Sequence, residues 1–317
     1  MNEHRPEHQG EQGPEERRSS PPLVSVVIVT HNDLDNLVGC LQSLATQQYP
    51  AAATEIVVVD DGSTDGTADA LQREHTSVRV ISKPNEGADV SRNRGIVVST
   101  GEIIAFIDSD CVANPDWLTR MVGRLVEEPG PVIGGRVLHR GSFWQRLTGI
   151  ADFGEYQGLQ IREVRAIPTC NMGLGRAVLG GARFDPRLAR AGGDTLFAET
   201  LRRKGAKLIY DPAVVVVHRP SVEMKDLLVR AKRYGRSFVE ARKIAPSMRY
   251  AAFVRAGVPG VIAATLGRTL LDWQRLLRHR RAAGFSLLEV PAAMFFLLLR
   301  RVISLPEAVR ALRDSSS

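Results

Sequence analysis

Cysteine is scarce in this chain of 317 residues: Cys40, Cys111 and Cys170 stand far apart. An odd, scattered set builds no disulfide framework. It suits a reduced, cytoplasmic setting in which all three are small buried residues. Long hydrophobic runs are missing as well. Ala256 to Gly267 is uncharged for 12 residues and Val290 to Leu299 for 10, whereas a membrane span needs about 20. Aromatics make up 6%, and the basic C-terminal third lacks the interleaved rings on which bases stack, which argues against nucleic acid as a partner. The first 22 residues hold almost nothing apolar. They read as a disordered tail without the apolar core of a signal peptide.

What is present is a core-forming chain with 44% hydrophobic residues and a net charge of +7. The charge is uneven. From Ser221 onward there are 18 Lys/Arg and 7 Asp/Glu, a balance of +11 that leaves −4 for the rest. A basic third of this kind implies an anionic neighbour. Its two short apolar stretches are flanked by arginines, at Arg275, Arg278, Arg280 and Arg281 and again at Arg300 and Arg301. That pattern fits helices lying on the inner face of a membrane. A packed helical appendage with solvated arginines is the alternative.

Short apolar runs at Val24–Val29, Glu55–Val59, Val78–Ile81 and Ile103–Ile107 read as buried parallel strands. Between the first two, Leu34, Leu37, Leu41 and Leu44 share one helical face, and further helices are expected from Thr67, Arg92 and Trp117. Alternating strands and helices predict an α/β fold with a mostly parallel, Rossmann-like sheet flanked by helices, and a helical basic appendage. Residues 141–168 read as irregular, a helix is expected near Thr195, and Lys207–Tyr210 and Ala213–Val217 read as strands. The chain divides into a tail (1–22), a catalytic domain (23–220) and the appendage (221–317).

Ligands of such sheets bind beyond the carboxyl ends of the strands, and the motifs lie there. The first strand ends in Thr30-His31-Asn32 without a glycine-rich turn. That excludes a dinucleotide fingerprint and a P-loop, and leaves nucleotide binding to side chains. It also argues against a nucleotidyltransferase, for which a Gly-rich, Lys/Arg-bearing loop is expected at this point. The second strand ends in Asp60-Asp61-Gly62-Ser63, acidic groups that accept from base N–H or ribose hydroxyl groups, or simply form a turn. The fourth ends in Asp108-Ser109-Asp110, a hard-oxygen pair for Mg2+ or Mn2+ held together with substrate phosphates. Arg92 or Arg94 would clamp a phosphate or orient an aspartate. Asp194 precedes a helix and reads either as its N-cap or as a general base.

In order, Ser25–Asn32, Val58–Thr67, Asn85–Gly95, Phe106–Asp110, Asn171–Arg176, Phe184-Asp185 and Gly193-Asp194 resemble glycosyltransferase family 2, the inverting GT-A-fold enzymes of the SpsA type. The resemblance covers about residues 23 to 220. It implies a nucleotide-diphosphate sugar as donor, a divalent metal, Mn2+ or Mg2+, and a glycan, lipid-linked or small-molecule acceptor. It places the nucleotide sugar against Thr30, His31, Asn32, Asp60, Asp61, Asn85, Gly87, Arg92, Asp108 and Ser109. Asp108, Asp110 and His218 would hold the metal, although His218 also reads as a structural histidine. Asp194 would be the base, and Asn171 and Met172 would line the acceptor side. Three departures stand out. His31 sits where Tyr is common. Gly193 sits where many relatives have Glu before the Asp. The Gln-x-x-Arg-Trp motif usual in processive polymerases is missing after residue 220, which favours single-sugar transfer.

Overall fold

The computed structural model describes residues 20–128, 130–188, 191–220 and 223–314. Residues 1–19 of the expected tail and residues 221–222 at the expected domain boundary lie outside the described residues. The first half alternates as expected: β1 (Val24–Thr30), α1 (Leu34–Ala45), β2 (Thr54–Asp60), α2 (Thr67–Glu74), β3 (Arg79–Ser82), α3 (Ala88–Val98) and β4 (Ile103–Phe106). There follow β5 (Cys111–Ala113), α4 (Trp117–Glu127), β6 (Val132–His139), α5 (Phe143–Phe153), β7 (Arg162–Glu163), β8 (Met172–Gly175), α6 (Arg176–Leu179), α7 (Gly193–Arg203) and β9 (Leu208–His218). Four helices close the chain: α8 (Met224–Ile244), α9 (Ala251–Arg255), α10 (Gly257–His279) and α11 (Val290–Arg313).

One nine-stranded sheet runs β3-β2-β1-β4-β8-β6-β9-β5, with β7 paired to β9. Its first four strands are parallel, as is the long β6–β9 pair. β8, β5 and β7 run antiparallel to their neighbours. Successive residues of β1 face opposite sides. Val26 and Ile28 join Leu37, Leu41, Trp117 and Met121 on one side, whereas Val27 joins Phe106, Met172 and Phe197 on the other. Burial on both faces explains why β1 and β2 are near-continuous apolar runs.

Four expectations change here. Residues 141–168 are not irregular throughout, because a capping box between Ser142 and Gln145 starts α5. The third helix begins at Ala88, so Arg92 sits one turn inside it. The two strands expected over 207–217 are one strand, β9, whose register against β6 shifts between Gly135 and Arg136. Arg300 and Arg301 are not solvated edge residues: they are buried and paired with Asp152 and Asp272.

The closing helices pack on the α/β body. Leu227, Leu276, Phe285 and Leu297 form one apolar cluster with Leu147 and Ile150 of α5, and Arg275 reaches Glu155 at 3.3 Å. No helix among the described residues is long and apolar enough to cross a membrane.

Candidate active site

The parallel register sets Thr30, Asp60 and Ser82 side by side at the ends of β1, β2 and β3. Asp108-Ser109-Asp110 follows β4, the other neighbour of β1, so the motifs meet where the connections diverge. The turn residues lock onto one another. Asn32, at φ 52°, accepts from the Thr64 amide at 2.7 Å and donates its own amide to Ser63 at 2.9 Å. Asn85 lies 3.1 Å from His31 Nε2, and Ser109 Oγ donates to Asp33 at 2.8 Å.

The acids after β2 are already engaged. Asp60 accepts from the Ser63 amide at 3.0 Å. Asp61 accepts from the amides of Glu86 at 3.0 Å and Gly87 at 2.9 Å and pairs with the Lys83 ammonium. Burial opposes the charge on Asp61, yet Lys83 and these donors hold its carboxyl below the usual range. Asp61 thus shapes the 83–87 loop that leads into α3. The Thr30 hydroxyl is buried without a hydrogen-bond partner among the described residues.

From α3, Arg92 bridges two carboxylates. It reaches Asp89 at 3.1 Å and Asp108 at 3.2 Å. Arg94 is exposed, so of the two arginines Arg92 is the one in the site.

Strand pairing makes the next group. Cys111 of β5 is in register with His218 of β9, which is itself in register with His139 of β6. His218 Nε2 is therefore 3.0 Å from Asp110, and its Nδ1 is 2.8 Å from His139 Nε2. Burial and His218 push His139 down to about 3, so it is neutral and accepts from the Nδ1–H of His218. Burial works against charge on both members of the Asp110–His218 pair. Even so, His218 holds Asp110 low and Asp110 holds His218 high.

A metal fits this arrangement. Asp110, Cys111 and His218 bring one donor atom each within 4.8 Å of one another. Burial and Cys170 push the Cys111 thiol well up, so it stays protonated and is a poor ligand. That leaves a carboxylate and an imidazole whose far nitrogen is already oriented by His139, a common second-layer arrangement at metal sites. Asp108, expected as a ligand, lies outside this group and faces Arg92.

Asp194 does not cap α7. Gly192, at φ 83°, holds that place, and Asp194 lies in the first turn. Its Oδ1 accepts from the Thr195 amide at 2.7 Å and from the Thr195 hydroxyl at 3.3 Å. Its Oδ2 has no hydrogen-bond partner among the described residues. Burial raises its pKa, with Arg92 opposing.

Asn171 and Met172, expected on the acceptor side, are not among the residues that line the cavity described below. Both are fully buried. The Asn171 amide accepts from Trp117 at 2.9 Å and donates to the carbonyls of Arg136 and Val214. It ties β6, β9 and α4 together. The preceding residues, Pro168 to Cys170, reach the cavity instead.

That cavity measures about 450 Å3 and has Asp89, Arg92, Asp108 and Asp194 on one side. Its far wall carries Arg242, Arg268, Arg300 and Arg301 from the closing helices. His139, Asp89 and these arginines escape a reading of the sequence alone. The i,i+3 spacing of Asp89 and Arg92 is the available signal for one of them.

The profile of the family described as Glycosyl transferase family 2 matches residues 25–179. Over 230 residues the chain is 27% identical to glycosyltransferase AglE of Haloferax volcanii, covering 70% of this chain and 75% of that protein. Over 212 residues it is 31% identical to succinoglycan biosynthesis protein ExoM of Rhizobium meliloti, covering 63% of this chain and 68% of that one. Among solved structures, mannosyltransferase PcManGT from Pyrobaculum calidifontis, in complex with GDP-Man and Mn2+, aligns with TM-score 0.62 at 21% identity, over 94% of this chain and 89% of that one. The structural likeness carries the fold, and the profile and the sequence relatives carry the lineage: this chain belongs to glycosyltransferase family 2 and is a glycosyltransferase of the GT-A fold.

Proposed function

We propose that the chain moves one sugar from a nucleoside-diphosphate donor to an acceptor hydroxyl with inversion. The observation that carries this reading is the common cavity of Asp194 and Asp108: a carboxylate with an open Oδ2 faces the same space as the first acid that follows β4. Asp194 takes the proton of the acceptor hydroxyl. The acceptor oxygen then forms its bond to the anomeric carbon from the face opposite the diphosphate. The carbon–oxygen bond to the diphosphate breaks, and its electron pair leaves with the phosphate oxygen. Arg92, fixed by Asp89 and Asp108, supplies a positive charge beside that departing group. Asp110 and His218 would hold Mn2+ or Mg2+, which neutralises phosphate charge when bound. NMR of the transferred product tests the stereochemistry. Inversion at the anomeric carbon is expected, and retention contradicts the reading.

The acceptor side faces the closing helices, which we place on the inner surface of the cell membrane. Ile262, Leu266 and Leu270 make an exposed stripe on α10, and Phe295, Leu298 and Val302 another on α11. Leu287 and Leu288 protrude between the helices at 69% and 92% exposure, near the exposed Arg278 and Arg281. Apolar tips beside cations suit an anionic lipid surface and a lipid-linked or envelope acceptor. Binding of the full chain to vesicles of anionic lipid should fall with added salt and on Leu287→Asp with Leu288→Asp. A chain that stays in the supernatant at low salt contradicts membrane docking.

A further inference from the structure

The far wall of the cavity is crowded with cations. Arg301 is matched to Asp272 through contacts of 2.9 and 2.5 Å. Arg300 pairs with Asp152 through Nη2, but its Nη1 is buried without a hydrogen-bond partner, and the residue is only 7% exposed. Arg242 donates only to carbonyls, of Arg249 and Phe238, each at 2.8 Å. Arg268 has no hydrogen bond or ion pair among the described residues. The Arg242 and Arg268 guanidiniums lie 3.8 and 4.4 Å from the centroid of one ring, Phe238. Two of these four guanidiniums thus have a carboxylate partner and Arg242 and Arg268 have none, a local excess of two positive charges in a cavity that also holds Asp89, Asp108 and Asp194 around Arg92.

Such an excess is costly in a half-enclosed space. Burial pushes Arg242 down to about 10. Burial, with Arg301 and Arg242 adding to it, also pushes Arg268 well down. Two guanidiniums without a carboxylate partner, beside a third with an unused donor, offer an anion a place in this cavity.

We propose that Arg242, Arg268 and Arg300 bind a phosphate group carried by the acceptor. This rests on the reading that the acceptor hydroxyl approaches Asp194, which shares the cavity. A phosphate monoester carries up to two charges, one for each guanidinium that lacks a carboxylate partner, whereas a carboxylate carries one. Its tetrahedral oxygens also match the guanidinium fork, which ammonium groups do not. Phe238 keeps the two stacked forks in one orientation, so little freedom is lost when the anion arrives.

The shared chemistry is a phosphate ester. It arrives either as a lipid headgroup or on a soluble sugar phosphate, and calorimetry on the full chain separates the two. The chain is first saturated with UDP or GDP and Mn2+, then titrated with inorganic phosphate, with octyl phosphate and with octanol. Both phosphate probes should bind the nucleotide-saturated protein and octanol should not. Arg242→Gln and Arg268→Gln should each weaken phosphate binding about tenfold or more, as expected for a lost charge-assisted hydrogen bond, while Mn2+-dependent nucleotide binding persists. Octyl phosphate binding tighter than inorganic phosphate assigns the site to a lipid headgroup, and equal affinities assign it to a soluble ester. Should a Gln variant fail to fold by circular dichroism, Arg268→Lys keeps the charge, removes the fork and should show the same loss.

Three results overturn the proposal: no phosphate binding at millimolar probe, variants that bind as the wild type does, or phosphate that binds only by displacing the nucleotide. The last would give these arginines to the donor diphosphate. Failure of the nucleotide to bind with Mn2+, with arginine-dependent phosphate binding intact, sinks the donor reading and leaves the anion site standing.

Discussion

Gly193 leaves room for Asp89: a Cβ built at position 193 would lie 1.8 Å from Asp89 Oδ2. Many members of the family carry Glu at this position, before the Asp. This chain has no side chain there and brings a carboxylate into the space from α3. The two positions are therefore coupled. Gly193→Ala should destabilise the fold by about 1–3 kcal/mol, the usual cost of forcing an atom into packed space. Adding Asp89→Ala should recover most of the loss. Denaturant unfolding of the two single variants and the double variant measures the coupling. A Gly193→Ala protein as stable as the wild type contradicts the geometry.

Asp89 also makes stability depend on pH. Burial raises its pKa from 3.8 to about 6, against the pull of Arg92. For a carboxyl raised in the folded state, the folded form binds more protons between these values, so stability falls as pH rises through that window. The contribution is fully present below about pH 4 and lost above about pH 6. Asp89→Asn should be more stable than the wild type at pH 7.5 by about 1–3 kcal/mol, since each tenfold change in proton affinity corresponds to about 1.4 kcal/mol. The difference should vanish near pH 4. Melting curves across this range test it, and a difference independent of pH contradicts it.

The parallel half of the sheet was legible because β1, β2 and β4 are buried on both faces and read as unbroken apolar runs. β6 was hidden by Gly134 and Gly135, which look like a break. In the structure a Cβ on Gly135 would lie 1.9 Å from the Val214 carbonyl, so the glycine lets two strands and Asn171 close together. α5 was obscured by its aromatics, although Ser142 and Gln145 mark its start. Of the site, residues that follow a strand could be found from the sequence. His139 and the far-wall arginines could not, because register and helix packing bring them there, not local spacing. Arg300 and Arg301 look like a solvated membrane anchor in the sequence, yet they point into the cavity.

Asp194 is separable from donor binding. Asp194→Asn should lower the transfer rate by about 10²–10⁴-fold, the usual contribution of a general base. Nucleotide affinity should be nearly unchanged, because the contact with Thr195 runs through one oxygen that Asn retains. The burial-raised pKa also predicts that the wild-type rate falls as pH drops through a value above the ordinary carboxylate range. A variant that turns over normally would leave Asp194 a purely structural role at the start of α7.

A metal held by Asp110 and His218 would join the donor diphosphate to the chain. Calorimetry of UDP and GDP binding tests this most directly, with Mn2+ or with chelator, for the wild type and Asp110→Asn. The nucleotide that binds in Mn2+ should weaken by about tenfold or more with chelator, and Asp110→Asn in Mn2+ should behave like the chelated wild type. Equal affinity with and without metal, or an Asp110→Asn protein that keeps the full Mn2+ effect, would contradict it.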